Sequence, residues 1–135
     1  GSHGRAWEYK VVVRDTEHPI TKGLPTEFLQ AKEELYDRLR GPAENMKILA
    51  TALAKGGSER HEPVLMTITY GKGRIFHTVM GHDHKSMHGV AFQETLIRGT
   101  EWAATGKVTF PPVSPETLPV DKAVSRAPKD IKPAH

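Results

Sequence analysis

The residues of this chain best able to do chemistry gather around His82. His82-Asp83 joins an imidazole that titrates near neutral pH to a carboxylate, a pairing suited to general acid–base catalysis. His84 and His88 follow at a spacing of four, which would place both rings on one face of a helix. With His82 as a third ligand they could hold a divalent transition metal such as zinc. The competing reading is a solvated loop in which Asp83 caps the next helix through its free N–H groups and the histidines face water. His61-Glu62 stands at the entry to an apolar run, as a polar strand entry. His77 reads as a hydrogen-bonded core histidine and His18, before Pro19, as a turn residue.

These residues need elements to place them. Val64, Met66, Ile68 and Tyr70 alternate with Leu65, Thr67 and Thr69, the period-two pattern of a strand with two unlike faces. Tyr70-Gly71-Lys72-Gly73-Arg74 is a glycine-bearing turn, and Arg74 to Met80 is the return strand of a hairpin. A three-residue loop there sets Tyr70 against Arg74, Ile68 against Phe76, Met66 against Thr78 and Thr67 against His77. The return strand delivers the chain to Gly81-His82-Asp83-His84. From Met87 to Thr105, Phe92, Leu96, Gly99 and Ala103 recur at helical spacing with Val90, Ile97 and Ala104 alongside. That predicts a helix with one core face, a surface Glu94–Arg98 ion pair and a C-cap at Gly106.

Earlier in the chain, Trp7 to Arg14 is a strand whose consecutive valines predict burial on both faces, as inside an α/β sheet. Asp15 to Leu24 breaks regularity around His18-Pro19 and Gly23. Glu33 to Leu39 is ambiguous between helix and strand, its charge favouring helix. Met46 to Leu53 is an apolar run of strand length between Gly41-Pro42 and Gly56-Gly57. Beyond Val108-Thr109-Phe110 come Pro111, Pro112, Pro115, Pro119, Pro128 and Pro133 with few apolar residues. That composition predicts an extended or disordered tail over 111–135.

The chain has 135 residues, enough for one domain with a real core. Its net charge of +3, from 19 basic and 16 acidic residues, partly reflects the end of the chain, where Lys122, Arg126, Lys129 and Lys132 outnumber Asp121 and Asp130. No basic face is interleaved with aromatics, which argues against a nucleic-acid partner. No apolar run approaches the roughly 20 residues that a membrane-spanning helix needs. Cysteine is absent, so disulfides and a cysteine nucleophile within this chain are excluded. Gly1-Ser2-His3 looks like the remnant of a cleaved tag. Residues 1–3 are therefore set apart, His3 is left out of the site, and the domain is expected over 4–110. No targeting segment is visible, and the compartment stays open.

The ordered set of short motifs resembles one family. His18-Pro19-Ile20-Thr21 with Gly23-Leu24-Pro25, Glu34-Leu35-Tyr36, Glu62-Pro63-Val64, Gly71-Lys72-Gly73-Arg74-Ile75-Phe76-His77 leading to Gly81-His82-Asp83, and Arg98-Gly99-Thr100-Glu101-Trp102-Ala103-Ala104 are similar to the carboxy-terminal part of the ThuA-like, trehalose-utilisation family. The resemblance covers about residues 9–109. It implies an α/β, flavodoxin-like fold related to class I glutamine amidotransferases, and a role in sugar catabolism with isomerisation of a keto-sugar as the activity. It also implies a sheet without its amino-terminal strands, since family members carry further strands and helices before the matched region. Such a sheet exposes an apolar edge, so self-association, or a second chain completing the sheet, is expected.

Within that frame His82-Asp83 is similar to the histidine–acid pair that activates a cysteine in the amidotransferases, although this chain has no cysteine to activate. Glu34, followed by Tyr36, matches a family glutamate at a strand end and so argues for strand where propensity favoured helix. A carboxylate beside a histidine can move a proton next to a keto group. The expected acid–base residues are thus His82, Asp83 and Glu34, with His61, Glu62 and Tyr36 lining the pocket for a small sugar. Trp102 could stack on a sugar ring, or be core. Two alternatives are a metal-dependent sugar hydrolase or isomerase using His82, His84 and His88, and a carbohydrate-binding module without turnover.

Overall fold

The structure, a computed structural model, describes residues 1–127 and Lys129. Pro128 and residues 130–135 of the expected tail, with Lys132 and Pro133, lie outside the described residues. Trp7–Val13 (β2), Met46–Leu53 (β5), His61–Tyr70 (β6) and Gly73–Thr78 (β7) form strands where apolar alternation expects them. Glu27–Glu33 (β3) joins them in a five-stranded sheet of order β3-β2-β5-β6-β7. Ser2–His3 (β1) and Tyr36–Asp37 (β4) pair as a small separate ribbon. Each of these pairings is antiparallel.

One helix, Val90–Thr105 (α1), lies across the sheet, so the α/β class holds in mixed form. The parallel body of a flavodoxin-like sheet is not formed by the described strands. In an antiparallel sheet with one covered face, side chains alternate inward and outward. Accordingly β2 is not buried on both faces as expected: Tyr9, Val11 and Val13 are buried, while Lys10 is exposed and Val12 only half-buried. The helix that local propensity favours at Glu33 to Leu39 is absent. From Ala31 to Asp37 the chain buries every second residue, and pairing with Ser2-His3 overrides the preference of a charged run for helix.

The β6–β7 hairpin differs from expectation by one residue. Its loop is two residues, Gly71-Lys72, and Tyr70 faces Gly73. Gly71 takes φ +55°; a glycine with positive φ at the first loop position gives a two-residue turn whose twist matches the strands. The register is then Ile68 opposite Ile75, Thr67 opposite Phe76 and Met66 opposite His77. Phe76 consequently meets α1, where any Cβ at Gly99 would collide with its ring. His77 falls on the opposite face and is exposed, so it is not the core histidine expected from the shifted register.

The helix face is also turned from the expected one. Val90, Ala91, Phe92, Thr95, Arg98 and Gly99 are buried, whereas Leu96 and Ile97 are about two-fifths exposed. Arg98 does not form the expected surface pair. Its buried guanidinium donates to the carbonyls of Lys22 and Pro111, tying the β2–β3 connection to the chain beyond the helix. Glu94 instead pairs with Arg126 at 3.9 Å. Gly106 ends the helix as expected, in a left-handed conformation with its N–H donating to Trp102 O.

Residues 111–127 form no helix or strand, fold through a turn at Ser114–Leu118 and are held against the core. Leu118 is buried within the core cluster, the Val113 N–H donates to Gly23 O, and the Leu29 N–H donates to Pro119 O. Farther on, the Val90 N–H donates to Val124 O and the Arg126 N–H to His88 O. The helix entrance is therefore fixed from both sides of the chain. A low apolar count did not predict this because one well-placed leucine and backbone bonds do the anchoring.

Candidate functional site

Two adjacent glutamates at the end of β3 point opposite ways because strand side chains alternate. Glu33 turns into the interior, 3% exposed. Its Oε1 accepts from the Tyr9 hydroxyl and from Gln30 Nε2, both at 2.7 Å. Its Oε2 accepts from the backbone N–H of Gly81 at 2.7 Å and of His82 at 3.0 Å. Four donors thus meet the four lone-pair sites of one carboxylate. Burial, and the adjacent Glu33 charge that would oppose a phenolate, push the Tyr9 phenol well above its ordinary pKa, which keeps it a donor.

The other wall of the site is the strand exit after β7. Gly81 has φ +91°, and a Cβ there would lie 2.6 Å from the Phe92 ring. The chain can therefore pass tightly over α1 only as glycine, which presents two successive amides to Glu33. The His82 ring then projects toward Glu34 and Tyr36. His82 Nε2 lies 3.3 Å from Glu34 Oε2, and His82 Nδ1 lies 3.2 Å from the Tyr36 hydroxyl. Nε2 is placed to donate to Glu34, and Nδ1 shares a hydrogen with the Tyr36 hydroxyl in a direction set by the tautomer.

His3, set aside on the sequence, belongs to this cluster. The β1–β4 pairing puts it opposite Tyr36, and its Nδ1 lies 3.2 Å from the same Glu34 oxygen. Glu34 thus sits between two imidazoles whose ring centroids are 6.3 Å apart. Glu34 and His82 border a cleft of about 480 Å³ with Lys32 and Lys85 on its rim. Their side chains are 27% and 36% exposed, accessible to a polar ligand. The arrangement can exchange a proton between a carboxylate and an imidazole while a phenol hydrogen-bonds the far side of the ring.

Other expected residues are placed differently. Asp83 closes the turn that leads into Ser86–His88, its Oδ1 accepting from the N–H groups of Lys85 and Ser86 at 2.9 and 2.8 Å, and it caps neither that 3₁₀ turn nor α1, which carry no side-chain cap. Those bonds, that to Ser86 first, hold its carboxyl below the usual range. An acidic group engaged by backbone in this way is not poised as an acid–base partner of His82. The metal set is not assembled either. His84 and His88 face each other edge-on, centroids 6.3 Å apart, before the helix begins, because Ser86–His88 is a 3₁₀ turn. Among the described residues no group of three or more His, Cys, Asp or Glu is placed to hold a metal ion.

His61 and Glu62 lie on a different cleft, with Arg38, Ser58 and Arg60, and not beside Glu34 and His82. His61 Nδ1 meets Arg14 Nη2 at 3.1 Å, and Glu62 accepts from the Ser58 hydroxyl at 2.6 Å. Tyr36 meets His82 but lines a neighbouring cleft with Leu39 and His77, and not the cleft bordered by Glu34. His18 closes a turn, its Nδ1 accepting from the Ile20 N–H at 3.2 Å, and its ring packs against Trp102 with centroids 5.0 Å apart. Trp102 is accordingly a half-buried packing residue. Glu33 was not singled out on the sequence. The signal that could have found it is the Glu33-Glu34 doublet at a strand end, where alternation sends one of the two inward.

The sequence matches the family model for ThuA, trehalose utilisation, over residues 2–103, a span that takes in Ser2 and His3. No curated protein matches the chain. Among solved structures, a ThuA-like protein from Parabacteroides merdae is similar, with a TM-score of 0.84 and 46% sequence identity over 93% of this chain. The chain spans 48% of the length of that protein.

Proposed function

Since the chain belongs to the ThuA, trehalose-utilisation family, we propose that it acts on a carbohydrate and that Glu34, His82 and Tyr36 carry proton transfer on a keto-sugar. The observation that carries this reading is the contact of His82 with Glu34 on one side and Tyr36 on the other, at the rim of an open polar cleft. Glu34 removes the proton from the carbon next to the carbonyl. The electron pair moves onto the carbonyl oxygen, which takes a proton from His82; Glu34 then returns its proton to the former carbonyl carbon of the enediol, while the neighbouring hydroxyl gives its proton to His82 and becomes the new carbonyl. No proton or electron is gained or lost overall, as an isomerisation requires.

His3 holds Glu34 from the other side in this reading, and Asp83 fixes the turn that follows His82. We further propose that the sheet is part of a larger flavodoxin-like, amidotransferase-like sheet, supported by the greater length of the Parabacteroides relative. Its uncovered face would pack on a second copy or another chain. The support is the face of β5–β7 away from α1, where Met46, Ile68 and Ile75 form one row and Ile48 and His77 flank a buried Met66 in the next. Ile48 is 38% and Ile75 42% exposed.

The experiment is a screen of keto-disaccharides and ketoses against the protein, followed by NMR for an isomeric product. Isomer formation supports the reading. Saturable binding with no product would replace it with a carbohydrate-binding module, and hydrolysis to smaller sugars would replace it with a hydrolase.

A further inference from the structure

We propose that Glu33 is a positioning residue, the buried anchor that sets the His82 ring between Glu34 and Tyr36. This rests on the acid–base reading of His82 for its functional meaning, while the anchoring itself is argued from geometry alone. The loop after β7 carries His82 out of the sheet without a helix or strand to hold it. What holds it is one carboxylate oxygen, which takes the N–H groups of Gly81 and His82 at 2.7 and 3.0 Å. The second oxygen is fixed by Tyr9 from β2 and Gln30 from β3. The carboxylate therefore locks the strand exit to two neighbouring strands of the sheet, and among the described residues no other side chain bonds these two amides. Because Glu33 and Glu34 are adjacent, the same stretch of backbone also sets the partner that the ring must reach. A shift of the loop would separate His82 from Glu34 even though both side chains were intact.

The chemistry of the cage also predicts which substitution is tolerated. Gln30 Oε1 is buried and without a hydrogen-bond partner. In Glu33→Gln the new amide nitrogen can face Tyr9 and Gln30, with the Gln30 amide turned so that its idle oxygen accepts and its long 3.4 Å bond to Ser86 O is given up. The new amide oxygen is then left for Gly81 and His82. In Glu33→Ala both loop amides lose their acceptor and the ring loses its anchor.

The test is NMR of the imidazole nitrogens and backbone amides of the whole chain, with the melting curve of each variant. In the unsubstituted protein the Gly81 and His82 amides are expected to exchange slowly with solvent although they lie in a loop. Fast exchange would overturn the proposal without any variant, so it stays testable if Glu33→Ala fails to fold. The His82 ring signals are expected to shift on Glu34→Gln in the unsubstituted and Glu33→Gln backgrounds, and not in Glu33→Ala. A folded Glu33→Ala chain whose His82 ring still responds to Glu34→Gln would overturn it. Turnover is read separately. If His82→Ala leaves turnover unchanged, the acid–base reading fails while the ring-response result still decides the anchoring. If both hold, Glu33→Ala lowers kcat by at least tenfold with little change in KM, and Glu33→Gln restores most of it.

Discussion

Nε2 of His82 lies 3.3 Å from Oε2 of Glu34, and these two side chains come from opposite halves of the chain. Glu34 follows the last residue of β3, while His82 stands in the exit loop of β7, at the other edge of the five-stranded sheet. Their meeting depends on the path of the β7 exit loop back across the sheet, which the buried Glu33 carboxylate and the tight passage of Gly81 over Phe92 define. The proposed chemistry is thus a property of loop placement on a sheet built from ordinary apolar packing.

Replacing Glu34 by glutamine keeps its shape and removes its basicity. Turnover of a responsive keto-sugar is expected to fall by about 10²–10⁴-fold, the range for loss of a positioned base. The melting curve should change by no more than about 0.5 kcal/mol, since Glu34 is partly exposed. Steady-state kinetics with parallel thermal melts check both halves of the statement.

How much of this could be read beforehand depended on which forces were local. The strand Met46–Leu53 is legible because its bounding residues and apolar run need no tertiary information. The extended chain at Glu34, between β3 and β4, was legible only through family resemblance, because its charge hides the alternation that burial of Leu35 and Asp37 reveals. Hairpin register failed by one residue, since two glycines in the turn allow loops of either length until the face of Phe76 is known. Of the site, His82, Glu34 and Tyr36 were in view. Glu33 was hidden because a buried carboxylate is recognised by its donors, which come from β2, β3 and the β7 exit. His3 was hidden by a reading of the first residues as foreign to the fold.

The segment beyond Phe110 is expected to behave as part of the core. Leu118→Ala should destabilise the chain by about 2–5 kcal/mol, as for other buried leucines. The matched change Val120→Ala, at an exposed position, should cost no more than about 0.5 kcal/mol. Chemical denaturation of the two variants compares them directly; equal midpoints would detach the segment from the fold.

Acid should weaken the fold through five carboxylates, one of them Glu116, which the Ser114 hydroxyl holds below the ordinary range. Asp15 is held below the ordinary range chiefly by Lys47, Asp37 by the Ser2 hydroxyl, Asp83 by the Ser86 amide and Glu101 by the Thr109 hydroxyl. A folded pKa below the unfolded one gives stability that is fully present above the unfolded value and lost as pH falls through the folded value. Melting temperature is therefore expected to lose these contributions below about pH 4, the usual carboxylate range. Glu101→Gln should shallow that acid limb, and an unchanged limb would remove Glu101 from the explanation.

The exposed isoleucines of β5 and β7, Ile48 and Ile75, should make the chain associate. Sedimentation velocity across low micromolar concentrations is expected to show a concentration-dependent species larger than a monomer, and Ile75→Lys should weaken it. A single monomeric boundary with a cooperative melt would contradict the proposed second copy.

The central claim is that Glu34 and His82 move a proton on a keto-sugar, and proton exchange reports it more directly than product. The protein is incubated in deuterium oxide with a keto-sugar that it binds, and the carbon next to the carbonyl is followed by NMR. The expected result is enzyme-dependent deuterium incorporation at that carbon, lost in His82→Ala and Glu34→Gln although both remain folded. Incorporation that persists in both variants, or none with the unsubstituted protein and a bound keto-sugar, would contradict the account.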